Sequence, residues 1–308
     1  MYRILTDNDL AHILKAENVV TVMEQALLAK TTGTLIAPPR FGIKVQDGGL
    51  LFTAGAETSF SKSIGFRVYD TFAAQSPEHK HLVAVFDSET GALRGLILGE
   101  TIGAWRTAAI NAIAMKYLAP PDAQRLGIIG SGFQARFHLQ AALTIRPFVS
   151  VKVYSRTTSR RETFAAEMAA KTGRIIEAAK SAKEVIDDAD VLICATNSST
   201  PIFEPAWLRP RMHINTIGPK TRKAHEISPL VAQKSQLIVT DSLAQVDSFP
   251  EGYFISDGHD RDRMVELSDI VAGKHVGRSS PTDITLFCSV GLAGTEGVLA
   301  NEALRLSI

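Results

Sequence analysis

The strand-like run Leu126–Ile129 stops at Gly130-Ser131-Gly132, a helical pattern carried by Phe133, Phe137 and Ala141 starts at once, and Ala135 takes the third small position. Glycines at this spacing, between a strand and a helix N-terminus, let the backbone approach a pyrophosphate, which then meets free N–H groups and the positive end of the helix dipole. Gly130, Ser131, Gly132, Phe133, Gln134 and Ala135 are therefore the candidate cradle of a dinucleotide, with a purely structural turn as the alternative. The next strand bears on which dinucleotide. An acid at its end would bind the ribose 2′-OH of NAD, yet "VKVYSRTTSRR" (Val151–Arg161) holds none. Ser155, Arg156 and Thr157 stand at the tip, with Arg160 and Arg161 beyond. Hydroxyls and guanidinium forks suit a phosphate dianion. A solvated basic helix start is the competing reading, although cations there oppose the helix dipole. The expected cofactor is NADP (as NADPH), with NAD the second choice.

The elements that would position these residues follow from the pattern. Beyond Pro120-Pro121, which stop any helix, strand candidates Leu126–Ile129, Val149–Tyr154, Val191–Ala195, His213–Ile217 and Leu237–Thr240 alternate with helical stretches Phe133–Ile145, Ser159–Lys171 and Ala182–Asp187. Arg174–Glu177 is a weaker strand candidate. Such alternation argues an α/β fold with a doubly wound parallel sheet of Rossmann type. Before the prolines the character differs. Thr6 to Asp9 has capping-box spacing, and a helix carries Val19, Val22, Met23, Ala26 and Leu27 to about Gly33. Hairpins are expected around Asp47-Gly48 and Thr90-Gly91, then a long helix from "GETIGAWRTAAINAIAMKYLA".

The 308 residues allow two domains. Lys+Arg of 33 against Asp+Glu of 32 gives no electrostatic case for nucleic acid or an anionic membrane. Hydrophobic residues at 45% and charged residues at 21% fit an ordinary globular protein. The N-terminus lacks a signal-peptide pattern and no apolar run is long enough to span a bilayer, so a cytoplasmic location is expected. Cys194 and Cys288 lie in apolar, strand-like context and are expected to be buried. None of the eight histidines has metal-ligand spacing, and no metal is expected. His79 and His81 are expected at the surface or in packing, and His225 is a minor candidate proton donor.

"PPRFGI" (Pro38–Ile43), "WRTAA" (Trp105–Ala109), Ile128–Leu143, "DVLICATNSSTPIF" (Asp190–Phe203), "INTIG" (Ile214–Gly218) and "LFCSVGLAGTE" (Leu286–Glu296), in this order, resemble the ornithine cyclodeaminase/mu-crystallin family. The resemblance implies a Rossmann domain, 120–285, and a discontinuous α+β domain, 1–119 with 286–308, that forms a homodimer and much of the substrate site. It implies hydride exchange between a nicotinamide and the α-carbon of an amino or imino acid. Arg40 and Arg106 match the family arginines that hold the α-carboxylate, a role a guanidinium fork suits. Thr196 and Gly291 would line the nicotinamide.

Two departures narrow the expectation. Where the family usually has a lysine near the substrate carboxylate, "SIGFRVYDTF" has Arg67. Arginine keeps the charge but effectively never deprotonates, so protons would come from solvent or from an iminium substrate. Cyclodeaminases place an aspartate six residues before a Glu-Leu pair, to position the ornithine side-chain amine; counting back from Glu226 puts Lys220 there. A cation facing an ammonium is repulsive, which argues against ring closure on ornithine unless Lys220 is a solvated loop lysine. The expectation is an NADP-preferring oxidoreductase that reduces a small 2-imino acid or runs the reverse. Four cations, Arg40, Arg67, Arg106 and Lys220, would favour a dicarboxylic substrate such as iminosuccinate. The alternatives are a cyclodeaminase acting on another diamino acid and a non-catalytic, crystallin-like NADPH-binding protein.

Overall fold

In the computed structural model, which describes residues 2–72, 81–256 and 258–307, Met1–Thr107 and Gly291–Ile308 form one unit and Ala108–Val290 the other. His79 lies outside the described residues. The first unit begins with β1 (Arg3–Thr6), α1 (Asp7–Ile13) and α2 (Ala16–Thr31), continues through β2 (Leu35–Ile36), β3 (Phe41–Val45), β4 (Gly48–Glu57), β5 (Ser63–Asp70), β6 (Leu82–Asp87) and β7 (Leu93–Leu98), and leaves through α3 (Thr101–Leu118). At the start of α1 the Asp9 carboxylate accepts from the Thr6 N–H at 2.8 Å and the Thr6 hydroxyl at 2.7 Å, as the capping-box spacing predicts. In α2 Val19, Val20, Met23, Ala26 and Leu27 are buried, while Val22 is only half-buried. Both hairpins form: β3 pairs with β4 around Asp47, and β6 with β7 around Thr90. The sheet runs β1-β7-β6-β5-β4-β2 with β3 also on β4; β1 lies parallel to β7 and the other pairs are antiparallel.

The second unit contains β8 (Arg125–Ile129), α4 (Phe133–Ile145), β9 (Ser150–Tyr154), α5 (Thr158–Thr172), β10 (Glu177–Ala178), α6 (Ala182–Asp188), β11 (Val191–Cys194), β12 (His213–Thr216), α7 (Pro229–Lys234), β13 (Leu237–Thr240), α8 (Leu243–Asp247), α9 (His259–Asp262), β14 (Met264–Glu266), α10 (Leu267–Val271) and β15 (Thr285–Cys288). Its sheet is parallel throughout, in the order β10-β9-β8-β11-β12-β15-β13-β14. Along β11 the side chains alternate between two cores, Val191 and Ile193 in one, Leu192 and Cys194 in the other. A strand buried on both faces is why this segment reads as an unbroken apolar run.

Three sequence expectations need correction. Residues 286–288, placed with the N-terminal portion, belong to β15, which sits inside the parallel sheet between β12 and β13. The long helix α3 passes into the second unit after Thr107, not at its end. The weak strand is at Glu177–Ala178, which shares only Glu177 with the expected segment. The chain returns to the first unit with α11 (Thr295–Leu306), which packs across β4, β5, β6 and β7 and against α2. Its start is held close to β4: a Cβ on Gly55 would lie 2.7 Å from the Gly294 Cα. Among the described residues no helix is long and apolar enough to cross a membrane.

Candidate active site

In the second unit, β8 ends at Ile129 and α4 starts after Gly132, so the glycine loop occupies the strand-to-helix turn. The two glycines differ in physical role. Gly130 has φ +115, and a Cβ there would sit 2.2 Å from the Ala195 carbonyl oxygen, so the fold itself excludes any other residue. Gly132 has φ −85, open to every residue type, and a Cβ there would meet nothing within 4 Å. The loop is braced from both sides. The Gly130 N–H donates to the Tyr154 carbonyl at 2.8 Å, and the Ser131 hydroxyl to the Ser155 hydroxyl at 2.9 Å. Arg136, which sequence reasoning passed over, donates to the carbonyls of Ser131 at 2.9 Å and Gly132 at 3.1 Å and pairs with Glu167 at 2.6 Å. Phe133 is exposed, Gln134 half-buried and Ala135 buried in the core behind α4.

The tip of β9 lies beside this loop. Ser155 is half-buried, whereas Arg156, Thr157 and Arg160 are exposed. Arg161 donates to the Ser155 carbonyl at 2.9 Å and stands over the Tyr154 ring. The first turn of α5 holds no acid, so the positive charges of Arg160 and Arg161 oppose the helix dipole there.

At the ends of β11 and β12 a buried carboxylate organises the backbone. Glu226 is fully buried and accepts from the Thr196 N–H (2.9 Å) and hydroxyl (2.8 Å), the Thr216 hydroxyl (2.8 Å), and the N–H groups of Ile217 (2.9 Å) and Gly218 (2.6 Å). Five donors on one carboxylate replace the water it loses. In the sequence Glu226 served only as a counting mark, and the polar stretch around it ("TRKAHEISP") carries no local signal of this role. Lys220 is buried at 5% exposure, its ammonium donating to the Gly218 carbonyl, and its backbone bridges to His225. It is not a solvated loop lysine. His225 donates from Nδ1 to the Thr221 carbonyl at 3.1 Å and lies against the Phe254 ring. Cys194 and Cys288 are buried at the same strand ends, and burial pushes both thiols up, Cys288 to about 12, so neither is a nucleophile.

The first unit gathers the other charges. Arg67 on β5 is 8% exposed and Arg106 on α3 is 6% exposed. Glu296, in the first turn of α11 and 2% exposed, lies 2.9 Å from Arg106 Nη2 and 3.7 Å from Arg67 Nη1. These contacts are charge to charge: neither Glu296 oxygen, nor Arg67 Nε, nor Arg106 Nε has a hydrogen-bond partner of good geometry among the described residues. Arg67 Nη2 donates to His81 Nδ1 at 2.7 Å, and the guanidinium stands 4.5 Å over the Tyr69 ring. Burial, followed by the Arg67 charge, holds His81 below the usual histidine range, so it is a neutral acceptor for Arg67. His81 is therefore packed into the charge cluster, the packing side of what the sequence led one to expect for it. Gly291 stands here too, its Cβ position 3.2 Å from Arg106 Nη1. Arg40 is half-buried and comes one residue before Phe41, which pairs with Phe52. Next along, Thr53 pairs with Arg67, so Arg40 is level with Arg67, two strands away.

The ornithine cyclodeaminase/mu-crystallin family model matches residues 3–303. A Delta(1)-pyrroline-2-carboxylate reductase of Bacillus cereus is 28% identical over 96% of this chain and 94% of its own. Among solved structures, Thermococcus litoralis Delta(1)-pyrroline-2-carboxylate reductase, in complex with NADH and L-proline, superposes with a TM-score of 0.91 at 32% identity, covering 99% of this chain and 97% of that one. The iminosuccinate reductase of Paracoccus denitrificans, in complex with NAD+, gives a TM-score of 0.89 at 25% identity, covering 99% and 95%.

Proposed function

Because the chain belongs to the ornithine cyclodeaminase/mu-crystallin family, we propose that it is an NAD(P)-dependent oxidoreductase that reduces a small 2-imino acid to the amino acid, or runs the reverse, with NADPH preferred. The observation that carries the nucleotide half is Gly132. Neither its backbone angle nor its surroundings call for glycine, so what needs the missing side chain is a group that comes close to the loop. The loop amides and the N-terminus of α4 would hold its pyrophosphate, Ser155, Arg156 and Thr157 a 2′-phosphate, and Thr196 the nicotinamide side. When bound, the nicotinamide gives or takes hydride. The relatives support the reading: one is solved with NADH and L-proline, another with NAD+.

The carboxylate half rests on Arg67 and Arg106, whose forks are buried and fixed, with Arg40 at the same level of the sheet. Arg67 holds charge and does not deliver protons; an iminium substrate already carries the proton that the amine product needs. The buried Lys220 cation also disfavours a diamino acid whose distal ammonium would have to be held at that position.

Two glycine variants and a substrate screen test this. Gly132→Ala should fold normally, with a thermal midpoint within about 2 °C of wild type, while its Kd for NADPH rises at least ~10-fold, about 1.4 kcal/mol. Gly130→Ala should lose stability outright. Unchanged NADPH affinity in Gly132→Ala would remove the loop from cofactor binding. The screen follows NADPH absorbance with 2-keto acids plus ammonia or amines, and with cyclic imino acids. NADPH binding without any turnover would favour the crystallin-like alternative.

A further inference from the structure

A dinucleotide crosses a doubly wound sheet at the carboxyl ends of its strands, where the strand order reverses. In the second unit that point lies between β8 and β11: the chain adds β9 and β10 on one side of β8, then places β11 and β12 on the other. With the 2′-phosphate at the tip of β9, as proposed above, the nicotinamide half falls to the ends of β11 and β12. Thr196 is two residues beyond β11 and half-buried. It adjoins the glycine loop, since a Cβ on Gly130 would lie 3.4 Å from Thr196 Cγ2. Its hydroxyl has a fixed polarity. A carboxylate carries lone pairs and no proton, so a hydroxyl set against it can only donate. Thr196 Oγ1 gives its one proton to Glu226 Oε2 at 2.8 Å and accepts from the Ser198 N–H at 3.2 Å. One of its two acceptor sites is left. Turning the proton outward would set the hydroxyl oxygen against a buried carboxylate, which is unfavourable out of water. Glu226 cannot swing aside either. Its other oxygen is held by the Thr216 hydroxyl and the N–H groups of Ile217 and Gly218. A Cβ on Gly218 would lie 2.5 Å from Glu226 Oε2 and 2.3 Å from the Thr196 carbonyl oxygen, so the chain closes tightly on the carboxylate.

Resting on the nicotinamide-dependent reading above, we infer that Glu226 is a positioning residue: by taking the Thr196 proton it leaves Thr196 a fixed acceptor, which selects the NH2 of the nicotinamide carboxamide over its carbonyl oxygen. The carboxamide NH2 is the one conventional hydrogen-bond donor on the nicotinamide ring. An acceptor held rigidly against it restrains rotation of the ring about its bond to the ribose, and with it the face that exchanges hydride. Glu226 itself touches neither cofactor nor substrate in this scheme and acts through the Thr196 hydroxyl.

The test uses a cofactor that lacks the donor. The acetylpyridine analogue of NADP+ carries a methyl group where the carboxamide has NH2, and keeps the carbonyl oxygen. Calorimetric titration gives Kd for NADP+ and for this analogue in wild type, Thr196→Ser, Thr196→Val and Glu226→Gln, each checked for fold by thermal melting. If wild type binds NAD+ more tightly, NAD+ and its own acetylpyridine analogue take their place. Wild type should favour the carboxamide at least ~5-fold, the worth of one hydrogen bond. Thr196→Ser should keep that ratio, and Thr196→Val should bring it to within about twofold of unity. In Glu226→Gln the new amide can donate to Thr196 and release its hydroxyl to donate in turn, so the ratio should collapse although Thr196 is intact. A residue that only holds the strand ends together would weaken both nucleotides alike and leave the ratio unmoved. Equal affinities in wild type, or a ratio unchanged in Thr196→Val or Glu226→Gln, overturn the inference and leave the reductase reading intact. Failure of wild type to bind any nicotinamide nucleotide overturns that reading itself. If Glu226→Gln does not fold, the wild-type, Thr196→Ser and Thr196→Val ratios decide, because a hydroxyl free to donate would bond the carbonyl that both nucleotides carry and would not discriminate.

Discussion

Arg156 is exposed at the tip of β9 and no acid stands between Val151 and Arg161, so its charge is free to act on a ligand without dismantling the fold. Arg67 and Arg106 are the opposite case, because each is buried against Glu296 and removing either would take away one of the two cations that face this buried carboxylate. The exposed arginine is therefore the cleaner probe of cofactor choice. Arg156→Asp should repel a 2′-phosphate and offer an acceptor to a ribose 2′-OH. NADPH affinity, measured by fluorescence titration, should fall at least ~10-fold, about 1.4 kcal/mol, with NADH affinity held or improved and the melting temperature unchanged. Equal losses for both nucleotides would make Arg156 a general support of the loop instead.

Among the elements, α4 and β12 each bury a neutral histidine. His138 donates from Nδ1 to the Gln134 carbonyl at 2.8 Å, and His213 contacts the Thr285 hydroxyl at 2.9 Å, while both Nε2 atoms lack a partner among the described residues. Burial is the leading cause that holds them down, His138 to about 4 and His213 to about 3. The unfolded chain takes up a proton at each site below about 6.5, and the folded chain does not until near those lower values. Their contribution is therefore complete above pH 6.5 and is lost as pH falls toward 4 and 3. Between pH 7 and 5 each should cost roughly 2 kcal/mol, and His138→Asn with His213→Asn should flatten the fall in urea midpoint over that range. An equally steep fall in the double variant would place the acid sensitivity elsewhere. The same elements show what a sequence can reveal. β8, β11 and β13 were legible because strands covered on both faces are mostly apolar, β9 because Val151 and Val153 alternate with polar residues, and α4 because its period and its glycine start agree. β1 and β14 were not, being short and paired only with distant segments, β7 and β13. β15 looked like part of the terminal portion because nothing local records that it inserts between β12 and β13. In the candidate site, the glycine loop and arginines could be named from residue type and resemblance. Glu226, Glu296 and His81 could not, because an acid or a histidine acquires its role only from the donors or charges that folding brings to it.

At the scale of the whole molecule, one face of the first unit's sheet carries a row of exposed apolar side chains among the described residues. Register puts Phe41, Ile43 and Val45 of β3 on the same face as Leu50 and Phe52 of β4 and as Ile64, Phe66 and Val68 of β5. Arg67 and Ser63 point the other way, toward the side that α11 packs against, and are buried. Phe41, Ile43 and Val45 are each 58% exposed and Ile64 is 47% exposed, with Phe41 stacked on Phe52 at 5.1 Å. A contiguous apolar sheet face of this kind marks an association surface, and β3 adds an exposed strand beside it. We expect a homodimer in which two copies of this face meet, as a two-fold axis makes one patch complementary to itself. Ile43→Asp with Ile64→Asp would place four carboxylates in the centre of such an interface while leaving the cores of both units untouched. Light scattering at micromolar concentration should give twice the chain mass for wild type and the single-chain mass for the double variant, with NADPH affinity retained in both. A wild-type protein that is monomeric at this concentration, or a double variant that remains dimeric, would rule this face out as the interface.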